Sequence, residues 1–274
     1  MTPVGTPEGT DLFARVACGI DGSDASIETV RQVARLAPEG AEVTLFGVAN
    51  PDAAVSIGWP AIPIAHATKV PRETIAAGID RARKELPEHL TVQSGIVTGP
   101  PAPLSVVEAK VRNATVVAIG SHGHRRMPGI LLGSVATALI HAAPCSVLLV
   151  RPGGEDAFPR SIVVGLDGSA QSREAARHAA AIAERTGATL HGLVAMGGAA
   201  PVDYAEVRSI VIDSGGFLLT DDTRDPIDAF SDVETDLLVL GSRGLRGVHA
   251  LGSVSERAAH RAGCSVLVVR PTRA

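Results

Sequence analysis

The chain repeats itself, and the repeat limits the possible folds more tightly than any single motif. The run from His141 to Pro152, HAAPCSVLLVRP, agrees with the run from His260 to Pro271, HRAGCSVLVVRP, at nine of twelve positions. The same offset of 119 aligns Gly133-Ser134-Val135 with Gly252-Ser253-Val254. Further upstream, residues 16–26 (VACGIDGSDAS) resemble residues 163–172 (VVGLDGSAQS), which sets Asp21 against Asp167. A tandem duplication follows. It divides the chain into a loose tail at 1–10, a first domain at 11–152, a polar, turn-prone linker at 153–160 (GGEDAFPR) and a second domain at 161–274.

In the first repeat, residues 15–20 are an apolar, β-compatible run ended by Asp21-Gly22-Ser23, a turn and helix start. Residues 26–37 carry Ile27, Val30, Val33, Ala34 and Ala37 at helical spacing, which predicts a helix lying on a sheet. Strands are expected at 43–48, 90–97, 115–119 and 145–150, helices at 72–86, 102–112 and 135–143, and an aperiodic, proline-bearing loop at 51–70. Alternating strands and helices imply parallel pairing through right-handed crossovers. The expected class is α/β: two tandem doubly wound, Rossmann-like domains, each an open, mainly parallel sheet of about five strands flanked by helices. The second domain is abridged. Asp21 to Gly120 spans 99 positions and Asp167 to Gly241 only 74, and the 25-residue deficit is expected after Met196, leaving room for at most a short helix.

Gly120-Ser121-His122-Gly123, nine further residues and Gly133-Ser134-Val135 follow an apolar run and lead into VATALIHAA. They read as strand, glycine-bearing loop and helix. Glycines let the backbone approach a ligand, and a helix start offers N–H groups without intrahelical partners, so this order builds an anion site. The spacing is neither the Walker pattern nor GxGxxG, and an ordinary βα turn with three glycines is the alternative. Ligands of open α/β sheets bind beyond the carboxyl ends of the strands, where the strand order reverses. That rule brings Asp21 to the same edge as Gly120. Ser134 is expected to N-cap the helix at 135–143, and Arg125 and Arg126 to offset phosphate charge. Solvated loop arginines, a water-facing His122 and a capping aspartate at Asp21 are the competing readings. In the second repeat Asp167, Gly241, Gly244, Gly252, Ser253 and Val254 occupy the equivalent places, with seven residues between Gly244 and Gly252. Ser253-x-x-Glu256 also reads as a capping box.

The aspartate after the first strand, GSHG and LLGSV in register, and the duplicated βαβ units resemble the universal stress protein family in its tandem-domain form. The likeness spans essentially the whole chain apart from tail and linker. In members that bind ATP, the loop holds ribose and phosphates, and the aspartate and the end of the second strand hold adenine. The resemblance therefore implies ATP, with Mg²⁺ carried by its phosphates, at Asp21, Val48, Gly120, His122, Gly123, Gly133, Ser134 and Val135. It implies a second, altered site at the equivalent residues of the abridged repeat, and a nucleotide-dependent stress regulator acting on an unknown protein partner.

Charge and composition narrow the remaining classes. A net charge of −4 without a basic stripe weighs against nucleic-acid binding. No apolar run is long enough to span a bilayer and no secretory pattern opens the chain, so a cytoplasmic, reduced protein is expected. Cys145 and Cys264 stand in matching places and are expected to be small buried strand residues rather than ligands. No nucleophile with its base and no HExxH-type metal cluster is evident. Binding, with at most weak ATP hydrolysis, is the expectation. An ATP-hydrolysing or adenylyl-transferring enzyme and a nucleotide-free scaffold are the alternatives. The related terminal strands CSVLLV and CSVLVV are expected to pair about a pseudo-twofold axis, so that one chain mimics a dimer, and a true homodimer also remains open.

Overall fold

The computed structural model describes residues 11–50, 70–121, 132–152, 158–195, 205–221, 226–231, 234–242 and 253–271. The first repeat runs β1 (Arg15–Gly19), α1 (Asp24–Leu36), β2 (Glu42–Ala49), α2 (Arg72–Arg83), β3 (Thr91–Thr98), α3 (Pro101–Val111), β4 (Val116–Gly120), α4 (Ser134–Ala142) and β5 (Ser146–Val150). The second follows the same order: β6 (Ser161–Gly165), α5 (Ala170–Thr186), β7 (Thr189–Ala195), α6 (Ala205–Asp213), β8 (Phe217–Asp221), α7 (Pro226–Ser231), β9 (Leu237–Gly241), α8 (Ser253–Arg261) and β10 (Ser265–Val269). The expected strands and helices stand within a few residues of their anticipated bounds, and the loop expected at 51–70 lies outside the described residues up to position 69.

Among the described residues the strands form one sheet in the order β3-β2-β1-β4-β5-β10-β9-β6-β7-β8. Pairing is parallel throughout each half and antiparallel only where β5 meets β10, with Leu148 opposite Leu267. The terminal strands thus pair as their sequences predict. Each half reverses its strand order between its first and fourth strands, which is the doubly wound arrangement.

Aliphatic side chains explain why the sheet is covered on both faces. The strands at the seam read SVLLV and SVLVV, apolar at successive positions, so both faces need shielding from water. On one side Val30, Val33 and Leu36 of α1, Ile75 and Ile79 of α2 and Ala179 and Ile182 of α5 pack on the sheet. On the other, Leu139 and Ile140 of α4, Ala229 and Phe230 of α7 and Ala258 and Ala259 of α8 do so. The eight aliphatic residues Val147 to Val150 and Val266 to Val269 are at most 1% exposed. Burying one such side chain stabilises by about 1.5–3 kcal/mol. The seam between the repeats is therefore built like a core.

Polar groups lock the same seam from above and below. The Arg151 guanidinium donates to the carbonyls of Ala259 (2.6 Å), Cys264 (2.9 Å) and His260 (3.3 Å) at the end of α8. Its pseudo-symmetric counterpart Arg270 donates to the Ile140 carbonyl of α4. Each repeat thereby satisfies carbonyls left over at the other's helix end. Gln32 of α1 reaches across as well, accepting from Ser265 Oγ at 2.8 Å and donating to the Arg151 carbonyl at 3.3 Å.

The abridgement of the second repeat removes no element. α6 has 9 residues against 12 in α2, α7 has 6 against 11 in α3, and β8 has 5 against 8 in β3. α6 is the short helix anticipated after Met196. On β8, the outer strand of the second repeat, Phe217 is 66% and Leu219 40% exposed.

Candidate functional site

The edge at which β1 and β4 end is the switch point of the first repeat. Cys18 stands opposite Ala118. Two residues further on, each strand reaches Ile20 and Gly120, and Asp21 and Ser121 leave the sheet side by side. The second repeat reproduces this. Val164 stands opposite Val239, which brings Leu166 beside Gly241 and sends out Asp167 and Ser242 together.

Asp21 is held by its own turn. Its Oδ1 accepts from the Ser23 amide at 2.9 Å and from the Ser23 hydroxyl at 2.5 Å. Ser23 is the N-cap of α1, its side chain accepting from the Ser26 amide at 3.3 Å. Between them Gly22 has φ +87°, and a Cβ there would meet the Thr74 carbonyl of α2 at 2.9 Å. Only glycine fits that turn without strain. The turn reading of Asp21 therefore holds for one of its oxygens, while the cap of α1 is Ser23 and not the aspartate. In the second repeat Asp167 Oδ1 accepts from the Ser169 amide at 3.0 Å, Ser169 caps α5, and Gly168 has φ +73°. Ser23 thus opens α1 as the Asp21-Gly22-Ser23 turn anticipated, and Ser169 is its counterpart in the second repeat.

The loop after β4 is pinned at its mouth. The buried Ser121 donates its amide to the Val150 carbonyl at 2.8 Å, and its own carbonyl accepts from the Gly133 amide at 2.9 Å. The two ends of the glycine loop thus meet at the carboxyl edge of β4. Residues 122–131, with His122, Gly123, Arg125 and Arg126, lie outside the described residues, as do Gly244 and Gly252.

Two capping expectations need correction. Ser134 does not N-cap α4: it is the first helical residue, and Gly133 is the cap, with φ −71°, ψ 161° and no side-chain hydrogen bond. The reason is positional, since a capping oxygen must come from the residue before the helix. The amides of the first turn, Ser134 and Val135 among them, consequently have no intrahelical acceptor and face the loop end. Ser253 likewise begins α8 from inside the helix. The Glu256 carboxylate stands 3.2 Å from His141 Nε2 of the other repeat, a contact across the seam.

Val48 ends up near the carboxyl end of β2 with its side chain in the core, 8% exposed. The structure thus brings Asp21, Gly120, Gly133, Ser134 and Val135 to one edge and keeps Val48 one strand away on the same sheet. In the second repeat Gly241 is crowded: a Cβ there would stand 2.6 Å from the Gln171 carbonyl of α5. Its carbonyl also accepts from Ser255 Oγ at 2.9 Å, where the first repeat has the hydroxyl-free Ala136.

The cysteines stay apart from this edge's chemistry. Burial pushes the Cys18 thiol up to about 12 and the Cys145 thiol up to about 11, so both are protonated at neutral pH. Cys264 is half-buried and also raised by burial. Among the described residues no group of three His, Cys, Asp or Glu side chains is placed to hold a metal ion, and no helix is long and apolar enough to cross a membrane.

A duplicated, doubly wound α/β protein with a pinned glycine loop at the switch point of its first repeat is the class that these features define. The model of the universal stress protein family matches residues 13–151, 159–201 and 223–270, and the chain belongs to that family. A universal stress protein of Mycolicibacterium smegmatis is 29% identical over 291 residues, covering 93% of this chain and 97% of its own. One from Mycobacterium tuberculosis is 29% identical over 296 residues, covering 93% and 96%. Among solved structures, a universal stress protein from Archaeoglobus fulgidus superposes with a TM-score of 0.68 at 21% identity, over 93% of this chain and 96% of that one. That last likeness concerns the fold.

Proposed function

We propose that the first repeat binds ATP at the joint carboxyl edge of β1 and β4, and that nucleotide occupancy is the signal by which this universal stress protein regulates a partner. The observation that carries the reading is the pinned loop: Gly133 returns to Ser121 at 2.9 Å, and α4 begins there without a side-chain cap. Uncapped amides at a helix start complement phosphate oxygens by hydrogen bonding and by the helix dipole. Mg²⁺ arrives with the nucleotide and neutralises part of its phosphate charge. Asp21, already oriented through Ser23, serves the base or ribose. The shorter loop of the second repeat, seven residues between Gly244 and Gly252 against nine between Gly123 and Gly133, makes it the weaker site. Turnover is slow or nil, and the protein responds to ATP rather than consuming it.

The test is direct. Protein purified without added nucleotide is denatured and its small molecules separated and weighed, and nucleotide-free protein is titrated calorimetrically with Mg²⁺-ATP. Saturable binding in the micromolar range or tighter is expected, with phosphate release near background. A chain that carries no nucleotide and gives no ATP heat is a scaffold instead.

A further inference from the structure

At the opposite, amino-terminal edge of the sheet lies a cleft of about 390 Å³ between the two repeats. Arg35 from the last turn of α1, Arg185, Thr186 and Gly187 from the end of α5, and Phe158, Pro159 and Arg160 leading into β6 line it. Three guanidinium groups therefore surround one small opening to which both repeats and the segment joining them contribute.

The three differ in how they are engaged. Arg185 donates to Asp11 Oδ2 at 2.7 Å and to the Leu36 carbonyl at 2.5 Å, so it serves the carboxyl end of α1. Arg160 faces Asp236 through a loose Nε to Oδ2 distance of 3.7 Å, from a side chain 64% exposed. Arg35 makes no hydrogen bond or ion pair among the described residues. The helix ends do not require it, since Ala37 and Gly187 already donate to the Val33 and Ala183 carbonyls at 2.8 Å each. Arg35 thus lines the cleft with no carboxylate partner among the described residues, and an exposed ion pair such as that of Arg160 with Asp236 yields easily to a better partner. Arginine forks suit oxyanions with several oxygens. The cleft has the volume of a small-ligand site, and Phe158 and Pro159 give it one apolar wall.

We infer that this cleft binds a small polyvalent oxyanion, a phosphate or carboxylate compound, at the junction of the repeats. The site is separate from the glycine loop, which lies at the other edge of the sheet. A ligand here touches α1, α5 and the approach to β6 at once, and so contacts both repeats together.

Pyrophosphate and citrate distinguish the two chemistries. Each is titrated calorimetrically into the full-length chain at low salt, beside Arg35→Glu, Arg35→Gln, Arg160→Gln and Asp21→Ala. At least one probe binds saturably, and Arg35→Glu weakens it about tenfold or more, the worth of one charge-assisted contact. Arg35→Gln gives a smaller loss in the same direction and stands in should the charge reversal unfold the chain, which thermal melting reports. Asp21→Ala leaves this binding intact, and Arg35→Glu leaves ATP binding intact, so this inference and the ATP reading fail separately. Absence of saturable binding for both probes overturns the inference, as does binding that neither Arg35 nor Arg160 substitutions weaken.

Discussion

The two repeats share the turns and strand pairings that make the sheet and differ in what surrounds its carboxyl edge. Both have an Asp-Gly-Ser turn with glycine in the left-handed region, a serine N-cap on the following helix and a serine amide bonded to the last strand. Yet Asp21 is half-buried and engages Ser23 through both amide and hydroxyl, whereas Asp167 is exposed with one bond to the Ser169 amide. Ser255 ties down the Gly241 carbonyl where the first repeat has Ala136. Parts that hold strands in place were kept in duplicate; parts at the strand ends drifted.

Substitutions in the two repeats test that contrast, beginning with the seam. Arg151→Met should cost about 3 kcal/mol in urea unfolding and Arg270→Met about half as much, because Arg151 satisfies three carbonyls and Arg270 one. Equal losses would mean that the seam is more symmetric than its hydrogen bonds. Next, Gly241→Ala drives a Cβ to 2.6 Å from backbone of α5 and should cost about 1–3 kcal/mol. Gly133→Ala meets its nearest atom at 3.6 Å and should change stability by less than about 0.5 kcal/mol. That makes Gly133→Ala a clean probe: any fall in ATP affinity reflects the ligand and not the fold.

At the sites themselves, Asp21→Ala should weaken ATP about tenfold, as expected for losing a hydrogen bond to a charged group, with Asp167→Ala near neutral by calorimetry. The reverse order would hand the principal site to the second repeat. Thiol labelling at pH 8 should modify half-buried Cys264 first, Cys145 later and Cys18 last, since burial holds the latter two at about 11 and about 12. Mass spectrometry of the labelled peptides checks the order.

The smallest expected effect is on pH dependence. Burial of His178 in α5 lowers its pKa beneath the ordinary histidine value of about 6.5. Between the two values the unfolded chain binds more protons than the folded one, so stability falls as pH drops through about 6.5. His178→Gln should flatten that slope in melting curves recorded from pH 7.5 to 5.5.

Much of this arrangement was legible in the residues because duplication wrote it twice. The offset between CSVLLV and CSVLVV anticipated the seam, and apolar periodicity placed the helices on the sheet. What the sequence hid was set by contacts between distant segments. Nothing local marks Arg151 as the clamp on α8, since its partners are main-chain carbonyls more than a hundred positions away. The capping errors at Ser134 and Ser253 arose because a serine at a helix start looks the same whether it precedes the helix or opens it. The tightness of Gly241 depends on how closely α5 approaches β9, which no spacing within the loop reveals.

The antiparallel meeting of β5 and β10 has a consequence for how the molecule behaves on dilution. Two separate single-repeat chains joined along such strands would part at low concentration, and each would need the same sequence to serve both roles. Here the partner is tethered at an effective concentration that no dilution reaches. The pair stays assembled at any dilution, and each half is free to change its own carboxyl edge without changing the other's.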